Sequence, residues 1–183
     1  MRRLMSLLTA VSTALFCLFL GGNVIAPSAV MLALCITFGV FAYHFAMRLL
    51  VGYTIHAIFR NRMNVNRRWF RPRCFEAGLY ARLRVSKWKR HVPTFAPSTF
   101  SPREHSWEEL AQATCQAEVV HEIIIALSFV PLLLIPRFGE PVVFILTSVA
   151  AAGIDLIFVI LQRYNRPRIL ALVCKKDSAA RKK

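Results

Sequence analysis

The sequence predicts an all-α integral membrane protein: four transmembrane helices, with a cytoplasmic interfacial amphipathic helix between the second and the third. Three observations predict it. First, the 183 residues are 56% hydrophobic with a mean hydropathy of +0.49, yet carry a formal charge of +15. That pairing is rare in soluble domains and ordinary in small membrane proteins. Second, four apolar windows, Leu4 to Leu20, Ser28 to Met47, Ala117 to Pro136 and Val142 to Leu161, approach the ~20 residues needed to cross a ~30 Å hydrocarbon layer. Third, the basic residues fall in three groups, at Arg2 and Arg3, from Arg48 to Arg103 and from Arg163 to Lys183, leaving only Arg137 elsewhere. An even number of crossings puts the three groups on one side, which the positive-inside rule makes cytoplasmic. Both termini are therefore expected inside, in a multi-pass protein of the cell membrane.

One membrane domain in three stretches follows: an N-terminal transmembrane hairpin over 1–59, a basic cytoplasmic interfacial segment over 60–105, and a C-terminal transmembrane hairpin with a basic tail over 106–183. The first helix is the shortest, and its flanks, Arg2 and Arg3 before and "APSA" after, also fit a cleaved signal peptide. Either reading places residues 21–28 outside. "GGNVIAPS" supplies an uncharged outer turn into helix two. His44 and His56 are lone histidines without an acidic or cysteine neighbour at helical spacing and read as packed or interfacial groups.

From Arg60 to Arg90 arginines and lysines are threaded with aromatic and aliphatic residues, and Phe75, Leu79 and Leu83 recur at i, i+4, i+8. That spacing predicts an amphipathic helix in the inner interface, its arginines snorkelling toward phosphates. "HVPTFAPSTFSP" then gives a three-proline loop. Ser106 and Glu109 form a capping box that opens a helix running to Ile135, about 45 Å long at helical rise, so its first turns stand in the cytoplasmic interface. Pro131 is expected to kink it, and "PRFGEP" to turn the chain into helix four, which should end near Leu161.

The charge points to lipid, not nucleic acid, since no recognition module accompanies it. Cys17, Cys35, Cys74, Cys115 and Cys174 show no CxxC spacing and read as structural thiols. No metal site is proposed, because the Glu-His group lacks the second histidine of a zinc helix.

Two groups of residues carry candidate chemistry. Glu118 and His121 share a helix face at i, i+3, with Glu122 next in sequence. A carboxylate there can orient the imidazole as a general base, and ionisable groups at the start of a span are expensive enough to favour function over mere pairing with neighbouring arginines. In "QRYNRPR", Gln162, Arg163, Asn165, Arg166 and Arg168 belong at the same depth, where guanidiniums suit bidentate capture of phosphate or carboxylate but also anchor helices in headgroups. Asp155 lies seven residues before Gln162, about 10 Å deeper, and binds either a substrate hydroxyl or a facing helix.

"FEAGLYARLRVSKWKRHVP", "AEVVHEIIIALSFVPLLL" and "VILQRYNRPRI", in that order within residues 60–170, resemble the signature stretches of the glycosyl-diaponeurosporenoate acyltransferase family. These membrane enzymes finish a staphyloxanthin-type carotenoid by esterifying its sugar with a fatty acyl group. The resemblance points to Glu76, Gly78, Lys87, Trp88 and Lys89 in the interfacial segment, Glu118 and His121 on helix three, and Gln162 through Arg168, with Tyr164 and Pro167, after helix four. It implies His121 and Glu118 as catalytic residues, with Glu76, Trp88, Lys89, Gln162, Arg163, Asn165, Arg166 and Arg168 binding substrate. Glu122 stands where an aromatic is expected and Asp155 where an amide is, so both are held as substrate-binding and the acceptor need not be a glycosylated carotenoid.

The expected activity is acyl transfer at the cytoplasmic face, from an acyl-CoA or acyl-carrier-protein thioester to a hydroxyl of a lipid or glycolipid acceptor, with no bound cofactor. Arg163 and Arg166 would then face thioester phosphates or the developing oxyanion. No serine or cysteine sits in a nucleophile setting, so direct transfer is expected. The alternatives are a small membrane methyltransferase, and a non-catalytic scaffold for a lipid-biosynthesis enzyme.

Overall fold

The computed structural model describes residues 2–89, 91–92 and 98–180. Seven α-helices are described: α1 (Arg2–Ile25), α2 (Ala29–Phe59), α3 (Glu76–Arg82), α4 (Val85–Trp88), α5 (Trp107–Leu127), α6 (Ile135–Phe138) and α7 (Pro141–Ala180), with short 3-10 helices at Arg68–Phe70, Ser98–Phe100 and Val130–Leu134. Four stretches are long and apolar enough to cross a membrane: Arg3–Ile25, Ala29–Phe59, Trp107–Phe138 and Pro141–Lys176. Large aliphatics left outside, such as Ile25, Leu133 and Leu146, are what a lipid-facing surface requires. The protein is a multi-pass, all-helical membrane protein.

The chain forms two compact units. The first gathers Met1–Thr54 and Glu122–Leu156. Here Gly39 lets α1 approach α2 closely: a Cβ at that position would lie 2.9 Å from the Phe16 ring. Phe19 stacks on Phe38 at 5.4 Å beside that crossing. Ile36 and Val40 pack with Phe144 of α7 and with Leu132 and Ile135.

Helix ends follow local chemistry, and several differ from the sequence expectation. α1 continues through Gly21, Gly22 and Asn23, so the outer turn is shorter than "GGNVIAPS". Asn23 Oδ1 accepts the Ser28 N–H, and Ser28 Oγ caps α2 by accepting the Met31 N–H. The kink expected at Pro131 is a full break from α5 into a 3-10 helix, because proline lacks the N–H and crowds the carbonyl four residues back. That carbonyl, on Leu127, accepts the Tyr43 hydroxyl at 2.9 Å instead. Gly139 and Glu140, at φ 71 and 53, make the turn into α7.

The second unit gathers Ile55–His121 and Ile157–Lys183. α2 ends on Arg60 and Asn61, both left-handed at φ 47 and 59, a strain of about 1 to 3 kcal/mol per residue. Gln116 holds this turn: its Oε1 accepts the Asn61 N–H at 2.7 Å while its Nε2 meets His56 Nδ1 at 3.4 Å. The amphipathic stretch is two short helices, because Arg84 adopts the left-handed conformation between α3 and α4. The indole of Trp88 reaches back to donate to the Leu83 carbonyl at 2.9 Å, closing that break. Phe75, Leu79 and Leu83 are exposed, while Val85 is fully buried. Residues 93–97, the centre of the expected three-proline loop, lie outside those described.

The capping box forms as its spacing predicts: Ser106 Oγ accepts the Glu109 N–H and Glu109 Oε2 accepts the Ser106 N–H. Helix four does not stop near Leu161. α7 carries "QRYNRPR" inside the helix, Pro167 included, and runs to Ala180.

Candidate active site

Within the second unit, α5 and α7 bring two carboxylates and two guanidiniums together. Glu118 is fully buried and Arg166 is 2% exposed. Both Glu118 oxygens are taken, Oε1 by Arg163 and Oε2 by Arg166. Arg163 also clamps Glu76 through Nε at 2.9 Å and through Nη2. Its two remaining N–H groups donate to the carbonyls of Trp69 at 3.2 Å and Arg71 at 3.1 Å. A guanidinium has five N–H donors, and these five bonds use all of them.

Arg166 is committed in the same way. It donates to Thr114 Oγ1 at 3.0 Å, to the Thr114 carbonyl at 3.1 Å and to the Phe70 carbonyl at 3.2 Å, and its guanidinium lies over the Phe70 ring. The two arginines therefore serve the protein backbone and two buried acids. Paired this fully, the charges are stable in a low-dielectric setting that would expel a lone one. The run Trp69–Arg71, the end of the short 3-10 helix Arg68–Phe70 and the residue after it, is fixed by three of its carbonyls through these arginines.

A shell of rings and cations surrounds this network. Tyr80 donates to Glu76 Oε2 at 2.9 Å, and burial together with that carboxylate raises its phenol above its ordinary pKa. Tyr164 stands edge-on to Tyr80, with the Lys89 ammonium 5.0 Å and the Arg168 guanidinium 3.6 Å from its ring centre. Lys89 also donates to Asn165 Oδ1 at 3.5 Å. Gln162 is buried on the same helix.

His121 is half-buried on α5, and its ring stacks on Phe158 of α7 at 4.7 Å with the planes 9° apart. The structure thus joins Glu76, Glu118, Arg163 and Arg166 in one network and sets Lys89, Asn165 and Arg168 around Tyr164; His121 and Gln162 share α5 and α7 with these groups, and Trp88 ends α4 next to Lys89. Glu118, expected from the sequence to share a face with His121 one turn on, also holds the two arginines through its oxygens. Asp155 and Glu122 belong to the first unit. Asp155, 2% exposed, forms an ion pair with Arg48 of α2, whose guanidinium also donates to the His44 carbonyl at 3.0 Å and the Ala151 carbonyl at 3.1 Å.

Sequence reasoning missed Arg48, Thr114, Tyr80 and the backbone acceptors at Trp69, Phe70 and Arg71. Two signals were present. Arg48 lies far enough into an apolar run to need a counter-ion, and Thr114 stands one turn before Glu118 on its face.

A family model described as glycosyl-4,4'-diaponeurosporenoate acyltransferase matches residues 66–175, which include α3, α4, α5 and the segment of α7 that supplies the arginines. No curated protein and no solved structure matches. The match covers more than half of the chain, spans every member of the charged network, and fits four helices able to cross a membrane: the chain belongs to the glycosyl-4,4'-diaponeurosporenoate acyltransferase family and is a membrane acyltransferase.

Proposed function

We propose that the acyl group passes from a coenzyme A or carrier-protein thioester to a hydroxyl of a lipid or glycolipid, glycosylated carotenoid-like acceptor at the cytoplasmic face of the cell membrane. Both termini lie on that side in this reading, as the basic residues of the sequence favour. The segment 60–105 rests in the inner interface, and the exposed Phe75, Leu79 and Leu83 enter the lipid.

The observation that carries the reading is His121: a half-buried imidazole, held face to face with Phe158, one turn along α5 from a fully ion-paired carboxylate. His121 accepts the proton of the acceptor hydroxyl as its oxygen bonds to the thioester carbonyl carbon. The carbon–sulfur bond then breaks, and the imidazolium returns the proton to the departing thiolate.

Arg163 and Arg166 act here as positioning residues. Their donors hold α5, α7 and the Trp69–Arg71 run in one arrangement, so that the imidazole keeps its place. Substrate contacts fall to the cations with donors to spare: Lys89, with one bond to Asn165, and Arg168, with one bond to the Tyr164 carbonyl. Lys89 is placed to meet charge developing on the carbonyl oxygen.

Purified His121→Ala, assayed with labelled palmitoyl-CoA and membrane lipid extract, should lose acyl transfer by roughly 10² to 10⁴-fold while keeping the parent melting temperature. Transfer at the parent rate would remove His121 as the base. A folded but inactive variant also separates catalysis from a scaffold role, in which substitution would lower stability and leave no transfer to lose.

A further inference from the structure

A second polar site opens in the same unit, at the turn where α2 ends. It is a cavity of about 750 Å³ lined by Arg60, Arg62, Asn64, Asn66, His105 and Gln112, among others. The volume lies within the roughly 300–1,000 Å³ typical of small-molecule sites. Neither Arg60 nor Arg62 makes an ion pair or hydrogen bond through its guanidinium among the described residues, in contrast with Arg163 and Arg166. The only carboxylate on the lining among the described residues, Glu109, caps its own helix terminus, accepting the Ser106 N–H at 2.8 Å and lying 3.8 Å from His105 Nδ1, and it also feels the charge of Arg62.

The backbone beneath the arginines is the strained pair Arg60–Asn61, pinned by Gln116. Strain kept at such a point marks a conformation the surroundings impose, and here it sets two arginine side chains on one cavity wall. Guanidiniums match phosphate oxygens, while the carboxamides of Asn64, Asn66 and Gln112 and the His105 ring offer donors and acceptors to a base and a ribose.

We infer that this cavity binds the phosphate-bearing nucleotide head of coenzyme A, the acyl donor, through Arg60 and Arg62. The inference rests on the acyl-transfer reading and relocates the donor head, since Arg163 and Arg166 of "QRYNRPR" are spent on the protein. Ala113 of the cavity wall and His121 lie eight residues apart on α5, a rise of about 12 Å with about 80° of turn between them. An extended pantetheine arm covers that distance, carrying the thioester toward the imidazole. Arg60 to Val65 precede the family-matched residues 66–175, and Asn66, His105, Glu109 and Gln112 of the same cavity fall within them.

Calorimetry of coenzyme A against the full-length protein in phosphatidylcholine nanodiscs tests it, with 3'-dephospho-coenzyme A and phosphopantetheine as truncated probes. Parent protein should bind coenzyme A, more weakly its dephospho form and more weakly still phosphopantetheine. The double variant Arg60→Gln, Arg62→Gln should lose at least tenfold in affinity at the parent melting temperature, with Arg62→Gln alone as the milder change if the double variant does not fold. In transfer from palmitoyl-CoA, KM should rise in step while kcat at saturation is kept.

No coenzyme A binding by the parent, equal affinity in parent and variant, or an unchanged KM would each overturn the assignment; an unchanged KM with active enzyme leaves acyl transfer standing. Arginine-dependent coenzyme A binding by a parent that transfers no acyl group would sustain the cavity and sink acyl transfer. Adding phosphatidylglycerol to the nanodiscs separates the sources of phosphate: a cavity built for lipid headgroups would take no coenzyme A in either membrane, which again overturns it.

Discussion

Arg48 and Asp155 form an ion pair in the first unit, whereas the second unit holds two acids and two guanidiniums in one network. The spare donors of Arg48 go to carbonyls of helices it already touches, His44 and Ala151. Those of Arg163 and Arg166 go to Trp69, Phe70 and Arg71, the end of a single 3-10 turn whose carbonyls they satisfy. Satisfaction differs as well. The buried His44 has neither ring nitrogen hydrogen-bonded among the described residues, and Ser148 Oγ is likewise unpartnered. The pair neutralises charge inside hydrocarbon; the network shapes a segment, and that segment borders the proposed reaction site.

The contrast predicts opposite responses to mutation. Glu118→Ala should have the largest effect, because it leaves two buried guanidiniums facing an empty site. A cost of about 3–5 kcal/mol is expected from stranding buried charge, seen as a melting temperature lowered by roughly 6–20 °C at ~2–4 °C per kcal/mol for a chain of this size. A melting temperature equal to the parent's would show that the carboxylate is dispensable and the network is no scaffold.

Arg48→Leu and Asp155→Leu should each cost somewhat less, about 3 kcal/mol, as one charge is stranded in the first unit. Together they should nearly cancel, since a buried pair exchanged for apolar groups of similar volume is often neutral. A double-mutant cycle on denaturation in detergent gives the coupling. Strictly additive losses would mean that Arg48 is held by the carbonyls and not by Asp155.

How far the sequence foretold these clusters depends on the kind of signal each residue leaves. Ser106 and Glu109 were legible because a capping box is a local pattern with fixed spacing, and the four spans were legible because hydrocarbon thickness sets their length. Asp155 announced that it needed a partner, and Arg48 was equally isolated in its own helix, but nothing local joins residues more than a hundred positions apart. The arginine partners of Glu118 were hidden for the same reason: i, i+3 spacing to His121 is visible in a sequence, whereas Arg163 and Arg166 reach Glu118 only through folding. The break at Arg84 left no signal either, since an arginine in a left-handed conformation is dictated by the Val85 burial and the Trp88 to Leu83 bond around it.

The smallest effect concerns Tyr43 and sharpens the same comparison, since it asks what an uncharged bond contributes in the unit that the Arg48 pair occupies. Its hydroxyl serves the Leu127 carbonyl, which would bond the N–H at position 131 if that residue were not proline. Tyr43→Phe removes the donor and should cost about 0.6–1.5 kcal/mol, the range for hydrogen bonds within membrane proteins. In a Pro131→Ala background the helix regains an N–H at that position, the carbonyl has a local partner, and the same Tyr43→Phe change should cost almost nothing. Thermal denaturation of the four proteins gives the coupling directly. An equal cost in both backgrounds would mean that Pro131 does not free this carbonyl, and that the break between α5 and the 3-10 helix has another origin.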